Sequence, residues 1–140
     1  HYTVTPEMKA KMADFCGGFA TEAEDAAAIR ELYDETGYVI DTHTGVASAV
    51  YQQYKKNTGD ETKTVIASTA SPYKFSRSVM EAISDEKLPE DEFAVIDELC
   101  RVSGVEIPKA VEEIRNAQIR HKLECDVQDM KKTVAKILGI

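Results

Sequence analysis

The 140-residue chain contains no tryptophan, only four prolines and seven glycines, and too few cations to balance its anions. Seventeen lysines and arginines stand against 25 aspartates and glutamates, which gives a net charge of −8. Such an acidic chain is a poor partner for nucleic acid or for an anionic membrane. The sequence also lacks any apolar run of the length that spans a membrane, and no signal peptide opens it.

The three cysteines are too few and too widely spaced to form a recognisable site. Cys16, Cys100 and Cys125 are odd in number and lack the spacing of a zinc site. His121 lies close to Cys125 in sequence, but two ligands do not make a zinc site. We therefore expect no metal site, and we expect reduced thiols in a cytoplasmic protein.

What the sequence does contain is a set of clear helix boundaries. Thr5 followed by Pro6 is typical of a helix start, and Thr21 with Glu24 has the spacing of a capping box. Gly37 and Gly104 follow helical patterns and predict their ends. With 43% apolar residues, the chain is suited to one domain or to a piece of a larger one. It begins with His1 rather than Met, so we expect the natural translation start to lie elsewhere.

Three short apolar runs lie between the helical patterns and predict strands. They are Tyr38–Ile40, Val65–Ala67 and Ile119–Leu123. The predicted fold class is therefore α/β, rich in helix, with two or three strands flanked by helices. Because so few strands make only a marginal sheet, we expect the sheet to continue in something outside this chain.

The segment Val65–Phe75 changes character within a few residues. After the apolar run come Ser68 and Thr69, and Pro72 is suited to the first turn of a helix. In open α/β sheets, ligands bind just beyond the carboxyl ends of strands, where these two hydroxyls are predicted to lie. The alternative is an ordinary loop in which serine and threonine cap the following helix.

Two segments of the sequence resemble the C-terminal part of the threonine synthase family. Gly37–Ala47 reads GYVIDTHTGVA, and Ile66–Phe75 reads IASTASPYKF. The family patterns are roughly Gly-Tyr-x-Ile-Asp-Pro-His-Thr-Ala-Val-Gly and Ser-Thr-Ala-His-Pro-Ala-Lys-Phe. This chain departs from them with Thr42 for proline, Gly45 for alanine and Ser71 for histidine. The last departure puts in doubt any role of that histidine.

The resemblance implies an enzyme that depends on pyridoxal phosphate and has the tryptophan-synthase-β-like fold (fold type II). Enzymes of the threonine synthase family convert O-phospho-L-homoserine and water to L-threonine and phosphate, and the cofactor acts as an electron sink. The Schiff-base lysine and the phosphate-binding loop of the family lie in its N-terminal part. Neither is present here, and Lys74 belongs to a different motif.

The resemblance also implies that the chain is roughly the last third of a threonine-biosynthetic lyase. Residues 1–36 are expected to form a helical segment, and residues 37–140 the C-terminal α/β portion of the cofactor-binding domain. We expect no catalytic residue in this piece, no activity from it alone, and an interface with the missing N-terminal part. Apolar surface is expected to be exposed near Val39, Ile40 and Val65.

The family match suggests roles for six side chains. Thr69 corresponds to the residue whose hydroxyl faces the pyridine nitrogen of the cofactor, and Ser68 is expected to support it. The candidates for the substrate side are Asp41, His43, Thr44 and Lys74. For the first three, helix capping or packing against the missing domain is an equal alternative, and Lys74 is as well suited to pairing with a carboxylate.

The two loops that carry these side chains are expected to border one cleft, because each follows a strand-like run. Two other functions remain open at this point. The chain could be a non-catalytic α/β binding module, or it could belong to another pyridoxal-phosphate lyase of fold type II.

Overall fold

Helices and irregular connections make up the whole fold in the computed structural model, which describes residues 1–140. Two short 3-10 helices, Pro72–Phe75 and Val127–Asp129, precede two of the seven α-helices. The α-helices are α1 (Pro6–Lys11), α2 (Glu22–Thr36), α3 (Thr42–Thr58), α4 (Ser76–Ile83), α5 (Glu92–Ser103), α6 (Lys109–Arg115) and α7 (Met130–Leu138).

The predicted α/β class is wrong, because the structure contains no strand. Tyr38–Ile40, Val65–Ala67 and Ile119–Leu123 are all irregular. A strand requires a neighbouring strand to complete its ladder of backbone hydrogen bonds, and none of these segments lies beside another extended segment that does so. Apolar β-formers therefore do not make a sheet here, and the architecture is a helical one.

The helix ends predicted from local signals are confirmed. Thr5 caps α1, accepting a hydrogen bond from the Met8 N–H at 3.2 Å. In the capping box of α2, the Thr21 N–H donates to Glu24 Oε2 at 2.8 Å and the Glu24 N–H donates to Thr21 Oγ1 at 3.3 Å. Gly37 ends α2 with a φ of 70°, a left-handed conformation that glycine adopts without strain.

The core lies where α2, α4 and α5 meet, with α3 packed against α2. Val39 and Ile40, which were expected at an exposed face, are instead buried in this core as an extended connection between α2 and α3. Val65, in contrast, is 94% exposed. The core is formed by one contiguous cluster of buried side chains: Ile29, Val39, Ile40, Tyr73, Val79, Met80, Ile83, Val95, Ile96 and Leu99.

The last two α-helices lie outside this core. Arg115 in α6 reaches Asp97 in α5 through two hydrogen bonds of 2.9 and 2.6 Å, and so ties α6 to the body. No residue of α7 is buried, and its main contact is with the 3-10 helix in front of it. None of the helices combines the length and apolar character needed to cross a bilayer.

Helices α2 and α3 approach each other closely at Gly45. A Cβ atom at this position would lie 2.1 Å from Asp25 Oδ1 and 2.8 Å from Ile29 Cγ1. Both distances are too short for real contacts. Helices α2 and α3 can therefore pack this closely only because position 45 carries no side chain.

Gly45→Ala is therefore expected to destabilise the chain. Overpacking costs about 1–3 kcal/mol, while the higher helix propensity of alanine returns at most about 1 kcal/mol. Thermal unfolding should show a lower Tm. Gly17→Ala is the control, since a Cβ there meets nothing within 4 Å. An unchanged or raised Tm for Gly45→Ala would show that the two helices are not in close contact.

Candidate functional site

Asp41 lies at the start of α3 and is only 1% exposed. Its Oδ1 accepts hydrogen bonds from the N–H of His43 at 2.9 Å and of Thr44 at 3.2 Å. Its Oδ2 accepts a short hydrogen bond from the hydroxyl of Thr44, which is also buried. Asp41 is thus the N-cap of α3, one of the alternatives that the sequence left open.

The same group reaches the polar loop of the second motif. Ser68 Oγ lies 2.9 Å from Thr44 Oγ1 and 3.4 Å from Asp41 Oδ2. Ser68 lies 27 residues beyond Asp41 in the chain, so these hydrogen bonds join two segments that are distant in sequence. The structure therefore brings together three of the predicted site residues: Asp41, Thr44 and Ser68.

A second contact joins the same two segments. The ring of His43 stacks on the ring of Phe75, with centroids 5.6 Å apart and planes inclined by 29°. His43 Nδ1 also lies 3.4 Å from Asp41 Oδ1, while half of the His43 side chain remains exposed. Lys74 Nζ lies 5.5 Å from the centroid of the Phe75 ring, in a cation–π contact. His43 and Lys74 therefore both border Phe75.

The remaining hydroxyls of the loop take different positions. Thr69, next to Ser68, is exposed to solvent. Ser71 caps the 3-10 helix, accepting a hydrogen bond from the Tyr73 N–H at 3.3 Å. Tyr73 is buried, and its hydroxyl donates to the carbonyl of Val105. Helix capping, the alternative proposed for the loop, is thus the role of Ser71 rather than of Ser68 or Thr69.

A cleft of about 530 Å³ opens beside this contact between the start of α2, the start of α3 and α4. Thr42 and Phe75 contribute one side of it. Its other polar lining residues are mostly acidic: Glu22, Asp25, Ser78 and Glu81. Each motif segment thus contributes one lining residue, but none of the six predicted site side chains lines this cleft. The lining from α2 and α4 was not anticipated from the sequence.

Asp25 is the lining residue that the sequence gave no reason to single out. Its Oδ1 is buried without a hydrogen-bond partner, against the backbone of Gly45. Burial raises the pKa of Asp25, the nearby Asp41 carboxylate raises it further, and His43 opposes both effects. No local pattern marks such a residue, because its environment arises from the packing of α2 on α3.

The pKa of Asp41 is shifted in the opposite direction from that of Asp25. Burial alone would raise its pKa, but the hydrogen bonds from the Thr44 hydroxyl and from the N–H groups of Thr44 and His43 outweigh burial. The pKa of Asp41 is therefore lowered below its ordinary value. Two carboxylates near the start of α3 are thus shifted in opposite directions.

The donor set at the site is neutral apart from Lys74. The hydroxyl of Thr69 is suited to a neutral ring nitrogen of a cofactor, whereas a phosphate needs cations or clustered N–H groups. No group of three or more His, Cys, Asp or Glu side chains is arranged to hold a metal ion. The residues present therefore fit the edge of an aromatic cofactor ring and not its phosphate.

Comparison with known proteins identifies residues 44–134 with the family model "Threonine synthase, C-terminal". The human protein "Threonine synthase-like 1" is 31% identical over 91 residues, which are 64% of this chain and 12% of that protein. Threonine synthase of Schizosaccharomyces pombe is 36% identical over 84 residues, 59% of this chain and 16% of the enzyme. Threonine synthase of Corynebacterium glutamicum is 30% identical over 92 residues, which are 64% of this chain and 18% of that enzyme. No solved structure gives a significant match.

The two shifted carboxylates give opposite dependences of stability on pH. The raised pKa of Asp25 means that its contribution to folding is greatest when it is protonated and declines as pH rises through the folded-state pKa. Asp25→Asn should therefore stabilise the chain near pH 7, with a benefit that fades below about pH 4. Chemical denaturation at several pH values measures this.

Asp41→Asn is the matched comparison. The lowered pKa of Asp41 means that its contribution is present above the unfolded-state pKa and is lost as pH falls. The substitution should therefore destabilise the chain near neutral pH and matter less in acid. If both variants shift stability in the same direction at neutral pH, the assignment of the two environments is wrong.

Proposed function

This chain belongs to the threonine synthase family as a C-terminal domain, and we propose that it is the C-terminal part of a threonine synthase. The longer enzyme would use pyridoxal phosphate to convert O-phospho-L-homoserine and water to L-threonine and phosphate. The matching segment spans only 12 to 18% of the curated relatives named above. The activity is therefore proposed for a longer polypeptide, and the chain alone is proposed to be inactive.

The observation that carries this proposal is the contact between the two motif segments. Ser68 from the second segment lies within hydrogen-bond distance of Thr44 in the first. Phe75 from the second stacks on His43 from the first. Two segments that resemble one family in sequence thus lie side by side in the structure, which supports a role for both in one site.

When bound, pyridoxal phosphate supplies an electron sink for negative charge that develops on the substrate. The exposed Thr69 hydroxyl is proposed to donate a hydrogen bond to the pyridine nitrogen. A neutral hydroxyl polarises the pyridine ring less strongly than a carboxylate would. Ser68 would support the loop beside it. No residue of this chain is proposed to bind the cofactor covalently.

The substrate side is proposed to involve His43 and Lys74. The imidazole of His43 is half exposed and is fixed between Asp41 and Phe75, so it can exchange a proton with a bound molecule at a defined place. Lys74 carries a mobile ammonium group at the same edge, which would meet a substrate phosphate as a point charge.

The rest of the same polypeptide is the proposed partner of the chain. The accessible surface of the 140-residue chain is 11477 Å², whereas a folded monomer of this mass exposes about 7,200 Å². Many large apolar side chains at the C-terminal end are exposed, and burying them would be favourable. The exposed apolar side chains of that end are Ile114, Ile119, Leu123, Val127, Met130, Val134, Ile137, Leu138 and Ile140.

The chain by itself is expected to release no phosphate from O-phosphohomoserine, because it has no cofactor-binding lysine or phosphate loop. The longer protein that contains it is expected to turn the substrate over, and α7 amides should exchange with solvent more slowly there than in the chain alone. Phosphate release and hydrogen exchange measure the two. Turnover by the purified chain, free of contaminating enzyme, would refute the proposal.

Thr69→Val in the longer protein is expected to lower the turnover number by about 10- to 100-fold, since it removes one hydrogen bond at the cofactor ring while keeping the side-chain shape. Cofactor content, read from its absorbance, should remain. Thr64→Val is the matched control, an exposed position five residues upstream. Equal turnover in the two variants would exclude the proposed role of Thr69.

A further inference from the structure

We propose that Asp41 and Thr44 are positioning residues that hold the Ser68–Thr69 loop against the start of α3, and that neither contacts substrate. The three hydrogen-bonded side chains of Asp41, Thr44 and Ser68 are called the Asp41 clasp. The mechanical part of this inference stands on the structure alone. Its consequence for catalysis rests on the function proposed above for Thr69.

Asp41 has little acceptor capacity that a substrate could reach. It is 1% exposed, and both of its oxygens accept hydrogen bonds from within the chain. A buried carboxylate is stable only when it is fully hydrogen-bonded. A substrate contact would require it to break bonds that stabilise its ionised form. Asp41 therefore acts through its neighbours.

The direction of the hydrogen bonds in the clasp follows from the chemistry of its groups. An ionised carboxylate only accepts, so the single hydroxyl proton of Thr44 is donated to Asp41 Oδ2. Thr44 Oγ1, 2.9 Å from Ser68 Oγ, must then accept the proton of Ser68. Ser68 also lies 3.4 Å from the same carboxylate oxygen. In either contact, the Ser68 proton points toward α3.

This polarity separates the roles of the two loop hydroxyls. Ser68 has its donor committed to the clasp, so only its lone pairs remain available outward. Thr69 is exposed and retains its hydroxyl proton for a ligand. The clasp thus makes Thr69 the hydrogen-bond donor of the pair, and Ser68 the anchor beside it.

The loop requires such an anchor because little else fixes it. Residues 59–71 form no helix or strand, and nearly all of them are exposed or only partly buried. The downstream end is held by the buried ring of Tyr73 and its hydrogen bond to Val105. The clasp supplies the second fixed point, and Thr69 lies between the two. Ordering a free loop costs conformational entropy, so the loss of either point would loosen Thr69.

Thr44→Val in the full chain tests the mechanical part. It removes the bridging hydroxyl but leaves Asp41 to cap α3 through the N–H groups of residues 43 and 44. Backbone NMR order parameters of residues 66–71 are expected to fall below about 0.6, because the hydrogen bond that orders the loop is lost. Thr44→Ser, which keeps the hydroxyl, should restore the higher order parameters, and Thr64→Val should leave those of residues 66–71 unchanged.

Ser68→Ala provides a second route, should Thr44→Val fold poorly. It breaks the clasp from the exposed side and leaves the buried start of α3 intact. The same fall in the order parameters of residues 66–71 is expected. If neither variant changes these order parameters, the clasp does not hold the loop and the inference is wrong, whatever the activity of the enzyme.

The longer protein tests the consequence for catalysis. Thr44→Val should lower kcat for O-phosphohomoserine with little change in KM, and Thr44→Ser should recover it. A rise in KM at unchanged kcat would indicate a substrate contact and overturn the positioning role. Lower order parameters of the loop with unchanged kcat and KM would support the holding of the loop by the clasp and refute the function proposed for Thr69.

Discussion

The site depends on one buried carboxylate at the beginning of a helix. Removing Asp41 from water costs free energy, and the N–H groups and partial positive charge at the start of α3 offset that cost. The N–H groups of the helix orient the carboxylate, so that Oδ2 accepts a hydrogen bond from the Thr44 hydroxyl. Thr44 in turn contacts the hydroxyl of Ser68. The same carboxylate thus caps α3 and, through Thr44, attaches the loop.

A second carboxylate on α2 makes this arrangement less stable than it would otherwise be. Asp25 lies near Asp41 and has a buried oxygen without a partner, so the two negative charges oppose each other at the same helix end. Its oxygen occupies the space that a Cβ at position 45 would need. The glycine that stands where the family pattern has alanine is therefore matched to Asp25. Residues that cost stability without a local benefit are commonly found at functional sites.

The helix ends were predictable, whereas the strands were not. A cap such as Thr21 with Glu24, or a terminal glycine such as Gly37, is determined within one turn of chain. A strand instead requires a partner, and apolar β-branched residues such as Val65 indicate only that a segment is suited to pairing. Here no partner is provided, and Val65 remains exposed. Local signals therefore predicted the helices, and the fold class failed where it depended on long-range pairing.

The site shows the same division. The sequence indicated Asp41, Thr44 and Ser68 as candidates on two loops at one cleft, but it did not predict the hydrogen bonds among them, which join residues 24 to 27 positions apart. Asp25 was not identified at all, because its environment arises only from two helices packing together. The site also lies at the edge of a small core, on a chain whose exposed surface far exceeds that of a self-sufficient domain of its mass. Hydrogen bonds between segments distant in sequence therefore fix this edge of the candidate site within the chain itself.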